Sequence, residues 1–246
     1  MKNEVPSLQR GCDILKKVSE KPGISATELG DFFAIPKASL NRMLKCLLDN
    51  GFLSQNLKTK GLFPGWTVLE MIVGYYENDP LTFAVRPMLS RLAEKWQATF
   101  VVYEYEDPFK IVWRSKHEPS NGVKTRAPGV VTAKMNMNAQ GQLFISMLDN
   151  KKIKEFFSLG LAYKATEYTI MDYNKMLERA GEIRRKGYAF QQQENSLSSK
   201  QFAVPLVFRN IPGVFALGCF LNLSFQDEKE LVQDMLCEAG KFLSIE

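Results

Sequence analysis

The sequence predicts an α+β protein: a small, basic, helical N-terminal domain, an apolar connecting helix, and a larger domain of antiparallel strands and helices. Three observations predict it. Positive charge gathers at one end, since residues 1–65 hold 10 Lys/Arg against 6 Asp/Glu and the remainder 22 against 21. Apolar residues recur at helical spacing as far as about residue 95, after which strand and helix periods alternate. Turn signals stand between the periodic segments, at Pro22-Gly23, Gly51 and Asn78-Asp79-Pro80.

With 246 residues, 45% hydrophobic and 24% charged, the chain can bury a core as one large domain or two modest ones. The expected division is 1–65, a linker helix at 66–80, and 81–246. No apolar run reaches the roughly 20 residues of a membrane span. Met1–Pro6 has no apolar segment of a secretory leader, so a cytoplasmic location is expected. Cys12, Cys46, Cys219 and Cys237 are scattered and His117 is the lone histidine, so no zinc spacing exists. The cysteines are expected reduced and mostly core-packed. No metal or cofactor is expected. The chain has no G-x-S-x-G, G-x-G-x-x-G or Walker A run, and His117 sits in a polar stretch that reads as loop, so no enzyme is expected.

The first helix opens at Ser7, with Leu8, Gly11, Cys12, Leu15 and Val18 as its apolar face. Ser25-Ala26-Thr27-Glu28 is a capping box opening the second helix, with Ile24 and Leu29 placed as a hydrophobic staple. The third helix carries Leu40, Met43, Leu44, Leu47 and Leu48 at i, i+3, i+4, i+7, i+8. Phe52–Gln55 and Gly61–Phe63 read as short strands around a basic tip. Val68, Leu69, Ile72, Val73 and Tyr76 mark the linker helix, and another helix runs from about Phe83 to Lys95. Beyond it, Thr99–Glu106 and Ile111–Lys116 flank Asp107-Pro108-Phe109-Lys110 as a hairpin. Helices are expected at Ala139–Leu148, Lys151–Ser158, Asp172–Lys186 (with Gly187 as the stop) and Asp227–Leu243. Strands are expected at Tyr188–Gln193, Gln201–Phe208 and Val214–Ser224.

A tight turn between the second and third helices, followed by a basic hairpin, is the arrangement of a winged helix-turn-helix. Such a motif needs one apolar side fixing the third helix and one small, polar or basic side facing the major groove. Lys37, Ala38, Ser39, Asn41, Arg42 and Lys45 supply that side, while Lys58 and Lys60 tip the wing. Arg42 suits guanine O6/N7, Asn41 adenine and Lys45 phosphate. The expected partner is double-stranded operator DNA. The residues alone also admit a non-enzymatic ligand-binding or dimerising scaffold whose basic bundle contacts a protein.

Several segments carry a family resemblance. They are Ser7-Leu8-Gln9-Arg10 with Asp13-Ile14-Leu15, Glu28-Leu29, Ile35–Ser39, Arg42-Met43-Leu44 and Asn50-Gly51-Phe52, then Val85–Glu94, Ile183–Ala189, Glu194 and Phe202-Ala203-Val204-Pro205. In order and spacing these resemble IclR-type transcriptional regulators over almost the whole chain. The resemblance implies a GAF/PAS-like effector domain whose sheet carries a small-molecule pocket. It puts Ala139, Gln140, Gln191, Gln201, Phe220 and Asn222 at effector-facing positions. Gln201 stands where many relatives have Cys, and Phe220 and Asn222 where many have Ser. Amide and aromatic side chains there suit a weakly charged, ring-bearing ligand better than a compact dianion. The alternative is that Phe220 fills the pocket and the domain only dimerises. Glu194, at a family acidic position, reads as structural. The apolar linker helix would be stabilised by burial on a second copy, giving a homodimer, or on its own effector domain. The resemblance adds tetramers built as dimers of dimers.

Overall fold

A computed structural model describes residues 5–243; residues 1–4, part of the run read for a leader, and 244–246 lie outside the described residues. The chain divides into two compact units, residues 1–79 and 80–246.

In the first unit, α1 (Pro6–Glu20), α2 (Ala26–Phe33) and α3 (Lys37–Asp49) are followed by β1 (Leu53–Gln55) and β2 (Leu62–Pro64), paired antiparallel, and by α4 (Trp66–Asn78). The capping box forms. Ser25 Oγ accepts from the Glu28 N–H at 3.2 Å, and the Glu28 carboxylate accepts from the Ser25 N–H at 2.9 Å. Lys21, Ser25 N–H and Ser25 Oγ together hold the Glu28 carboxyl down at about 2. Ile14, Val18, Ile24, Leu29, Leu40, Leu44, Leu53 and Leu62 close one core. Ile24 and Leu29, the staple pair, are both in it. The face of α1 agrees with the expected one only in part: Val18 is buried and Leu15 packs against the core, but Leu8 and Cys12 are exposed and Ile14 faces inward. Both stripes are compatible with a 3.6-residue period, and the α1–α3 packing selects the one carrying Ile14.

In the second unit, α5 (Pro80–Trp96) leads into β3 (Thr99–Glu106) and β4 (Lys110–His117). The short β5 (Val131–Thr132), α6 (Ala139–Met147), α7 (Asn150–Ser158) and α8 (Tyr173–Lys186) follow. Then come β6 (Ala189–Gln192), β7 (Ser199–Leu206), β8 (Val214–Asn222) and α9 (Glu228–Gly240), which runs into a single 3-10 turn, Lys241–Leu243. The strands form one antiparallel sheet in the order β5-β4-β3-β8-β7-β6. Alternation along the strands feeds two cores. Phe100, Val102, Phe202, Val204 and Leu217 face α5 and α9; Val101, Tyr103, Ala203, Ala216 and Phe220 face α6, α7 and α8. Asp172 caps α8 by accepting from the Lys175 N–H, and Gly187 ends it in the left-handed region at φ 77°.

Three expectations need correction. Only Cys219 is buried, while Cys12, Cys46 and Cys237 are exposed, because the first two lie on the outer faces of α1 and α3. His117 ends β4 rather than lying in a loop, paired opposite Phe100. β7 begins at Ser199, two residues early, and β5 has too little periodicity to be seen in advance.

Candidate functional site

The first candidate surface is the outer side of α3. Leu40 and Leu44 hold the helix to its core, and Ala34 makes the turn from α2 in the left-handed region at φ 50°. This leaves Lys37, Ala38, Asn41, Arg42 and Lys45 exposed on one side, with Ser39 half-buried beside them. The wing is rigid at its tip: Asn56 Oδ1 accepts from the Lys58 and Thr59 N–H groups at 2.9 and 3.0 Å, and Gln55 Nε2 donates to the Lys60 carbonyl. Backbone bonds from Gly23 to Leu62 and from Leu62 to Ile24 tie β2 to the α1–α2 connection. Among the described residues, Lys37, Arg42, Lys45, Lys58 and Lys60 form no ion pair, whereas Lys17 and Lys21 do, with Glu20 and Glu28. Five uncommitted cations on one helix face and its neighbouring hairpin tip are suited to a polyanion.

The second is a cavity of about 420 Å³ in the sheet domain, on the α6 side of β7 and β8. That size is within the range of small-molecule sites. Four of the six expected effector-facing residues line it: Gln140, Gln201, Phe220 and Asn222. Ala139 and Gln191 lie behind the lining. Ala139 is the first residue of α6, and its N–H donates to Gln201 Oε1 at 3.2 Å. Gln191 pairs directly opposite Gln201, and its Oε1 accepts from the Glu194 N–H at 2.9 Å. Backbone N–H groups only donate, so both amides are fixed with oxygen toward the backbone and nitrogen away. Both Nε2 atoms, and Trp113 Nε1, are buried without a partner among the described residues.

The start of α6 is pressed against the preceding loop. Asn138 Oδ1 caps it by accepting from the Gly141 N–H at 2.8 Å, and a Cβ at Gly141 would stand 2.1 Å from the Met135 carbonyl oxygen. Behind it lies a buried polar knot. Arg179 Nη1 donates to Glu194 Oε1 at 3.0 Å and to Gln142 Oε1 at 2.8 Å, while Gln142 Nε2 donates to the other Glu194 oxygen at 2.5 Å. Burial pushes the Glu194 carboxyl above its usual range despite Arg179 and Gln142. Both carboxylate oxygens of Glu194 are thus engaged in holding α6 and α8 to the segment after β6.

The expected neutral lining needs correction. Lys124, Arg126 and Lys134 line the cavity, as do Trp113 and Val123, and no Asp or Glu does. The cations come from the 118–134 segment, whose only signal in sequence was three cations without an acid between Val123 and Lys134. Trp113 was hidden in a strand that reads simply as core.

Comparison with known proteins follows the same division. The family model of the IclR helix-turn-helix domain matches residues 7–57, and that of the bacterial transcriptional regulator IclR C-terminal domain matches residues 74–230. The chain belongs to the IclR family of bacterial transcriptional regulators. It is a DNA-binding regulator with a C-terminal ligand-binding domain through which a small molecule modulates operator affinity. The Pca regulon regulatory protein of Pseudomonas putida is 22% identical over 94% of this chain and 79% of its own length. The transcriptional repressor IclR of Escherichia coli (strain K12) is 23% identical over 81% and 74%. Among solved structures, the IclR regulator from Alicyclobacillus acidocaldarius superposes with a TM-score of 0.81 at 20% identity, covering 98% of each chain. An IclR homologue from Microbacterium hydrocarbonoxydans, solved with 4-hydroxybenzoate, does so with 0.78 at 14% identity, covering 96% of this chain and 97% of that one. These likenesses concern the fold.

Proposed function

We propose that this IclR-family chain reads its operator with α3 and grips the flanking backbone with the β1–β2 wing. Arg42 and Asn41 address base edges, Ala38 and Ser39 allow close approach, and Lys37, Lys45, Lys58 and Lys60 meet phosphates. The observation that carries this reading is the set of five cations that form no ion pair among the described residues, on and beside the small and polar outer face of α3. The protein acts as a homodimer in the cytoplasm, as a regulator and not an enzyme, with no cofactor. Support for the dimer comes from α4, which buries no residue within the chain and exposes Trp66, Leu69, Ile72 and Val73. Covering that stripe with a second copy would gain about 25 cal/mol per Å², and two dimers could pair further into a tetramer. A two-fold dimer reads a pseudo-palindrome.

The effector occupies the cavity lined by Gln140, Gln201, Phe220 and Asn222, with Ala139 and Gln191 supporting the lining. Binding shifts the population between two placements of the reading heads, by the difference in affinity for the two states. Genomic footprinting with the purified protein supplies the operator. On it, Arg42→Ala weakens binding by about 1–3 kcal/mol and relaxes preference at one base pair. Equal weakening on all sequences makes Arg42 a phosphate contact; absence of DNA binding even at low salt refutes the reading in favour of a protein partner.

A further inference from the structure

We infer that Leu57, at the tip of the wing, enters the minor groove beside the α3 site and wedges its side chain against a flanking base step; this deepens the operator-reading proposal and rests on it. Leu57 is 85% exposed, and among the described residues no large apolar side chain is more so. A single exposed leucine ordinarily needs no explanation. This one differs in three ways: the turn that carries it is rigid, the turn draws nothing from it, and it shares the tip with two uncommitted cations.

The hairpin closes through the Asn56 N–H donating to the Gly61 carbonyl and the Lys60 N–H to the Asn56 carbonyl, each at 2.9 Å. Asn56 Oδ1 accepts from the Lys58 and Thr59 N–H groups, and Thr59 Oγ1 accepts from the Gly61 N–H at 3.3 Å. The N–H groups of residues 58 to 61 are therefore all spent inside the loop. Such a tip is no backbone nest for a phosphate, so what it touches meets side chains. The Asn56 side chain makes the turn; a Ser, Asp or Lys after it would serve equally and be better hydrated. The leucine is thus an expense that the hairpin itself does not require.

Lys58 and Lys60 are exposed and form no ion pair among the described residues, so the surface that meets them is anionic. The same surface must offer something apolar within a side-chain length of that charge. Duplex DNA does so in the minor groove, where two phosphate rails border sugars and base edges in a cleft about 6 Å wide. The groove adjoining the one that α3 fills is the minor groove. The Ile24–Leu62 bridge and the Gly23 N–H bond to the Leu62 carbonyl, at 2.7 Å, fix β2 to the body of the unit. The tip is therefore carried at a set offset from α3. Apolar side chains act in that groove by pushing between stacked bases, which costs least at pyrimidine–purine steps. A flank that no polar side chain reads then contributes to specificity.

The test uses the full-length protein and labelled duplexes carrying the footprinted operator, with flanks holding either a TA step or only G·C pairs. Anisotropy gives affinity and salt slope, and 2-aminopurine scanned through the flanks reports unstacking. The expected result is binding about fivefold or more tighter on TA flanks, with the base analogue brightening at one flank step. Leu57→Ser weakens binding on TA flanks by about tenfold or more and erases both the flank preference and the brightening. It keeps the native salt slope, because no cation is lost. Leu57→Met, which keeps the apolar volume, restores flank preference and brightening. Neither variant shifts the melting curve, since the side chain is 85% exposed. Native affinity of Leu57→Ser on both flanks, no brightening with the unaltered protein, or a changed salt slope, the mark of a leucine that only orients the lysines, overturns the inference. So does a Leu57→Ser protein whose assembly state changes in sedimentation, which places the leucine on a second copy. If the protein binds its operator and Leu57→Ser does not weaken it, only the wedge falls. If no duplex is bound even at low salt, the operator reading falls and the wedge with it.

Discussion

Charge neutralisation on the wing gives a prediction whose size follows from the structure. If Arg42 reads a base, four cations per protomer remain for phosphates: Lys37, Lys45, Lys58 and Lys60, all exposed. A dimer then neutralises about eight phosphates, and at roughly 0.9 per contact log K falls with log[salt] at a slope of about −7. Between 50 and 200 mM salt that is a loss of about 10⁴ in affinity. Exchanging Lys58 and Lys60 for Gln removes half of the contacts, so the slope falls to about −3.6 and the loss to about 10². Both side chains project from a tip held by Asn56 Oδ1 and by backbone bonds, so the fold should be unchanged by circular dichroism. Fluorescence anisotropy on a labelled operator, repeated at five salt concentrations, measures the slope. A double variant that keeps the native slope would refute the placement of the wing on the backbone. A variant that loses sequence preference without changing slope would assign the hairpin to base reading instead.

Other perturbations test other parts of the reasoning. Gly141→Ala drives a methyl into the Met135 carbonyl, so it should destabilise the sheet domain by about 1–3 kcal/mol or more and lower its melting temperature; a native melting curve by calorimetry would contradict the close approach. Leu29→Ala empties a fully buried position in the reading head and should cost about 2–5 kcal/mol, abolishing operator binding at temperatures where the second unit still melts cooperatively. The Lys116 ammonium, with the Thr125 N–H and Lys124, holds the Glu118 carboxyl down at about 2. A depressed carboxylate stabilises above its ordinary value of 4.5 and loses that contribution as pH falls toward 2. Amide exchange around Val123–Arg126, corrected for intrinsic rates, should therefore accelerate as pH drops from 5 to 3, and Glu118→Gln should show the fast rate throughout. Identical pH dependence in the two proteins would sink the idea that Glu118 fastens this wall.

The reading head was legible because its determinants are local. A capping box, a staple and a leucine stripe each announce themselves within a dozen residues, and the structure puts Ser25, Glu28, Leu29, Leu40 and Leu44 where those signals require. Part of the α1 face and the burial of Cys46 are misjudged in the sequence, because neighbouring stripes share the helical period and only packing chooses between them. The cavity was half legible for the opposite reason. Gln201, Gln140 and Phe220 were reachable through resemblance, but the character of the site depends on Trp113, Lys124, Arg126 and Lys134, which sheet pairing and the 118–134 connection bring to it from elsewhere in the chain. Amides read alone suggested neutrality, since an amide can donate or accept. Only the Ala139 N–H, occupying the oxygen of Gln201, turns that side chain into a donor. The donor character of Gln201 is thus a property of α6 packed on β7, which the residue type alone does not carry.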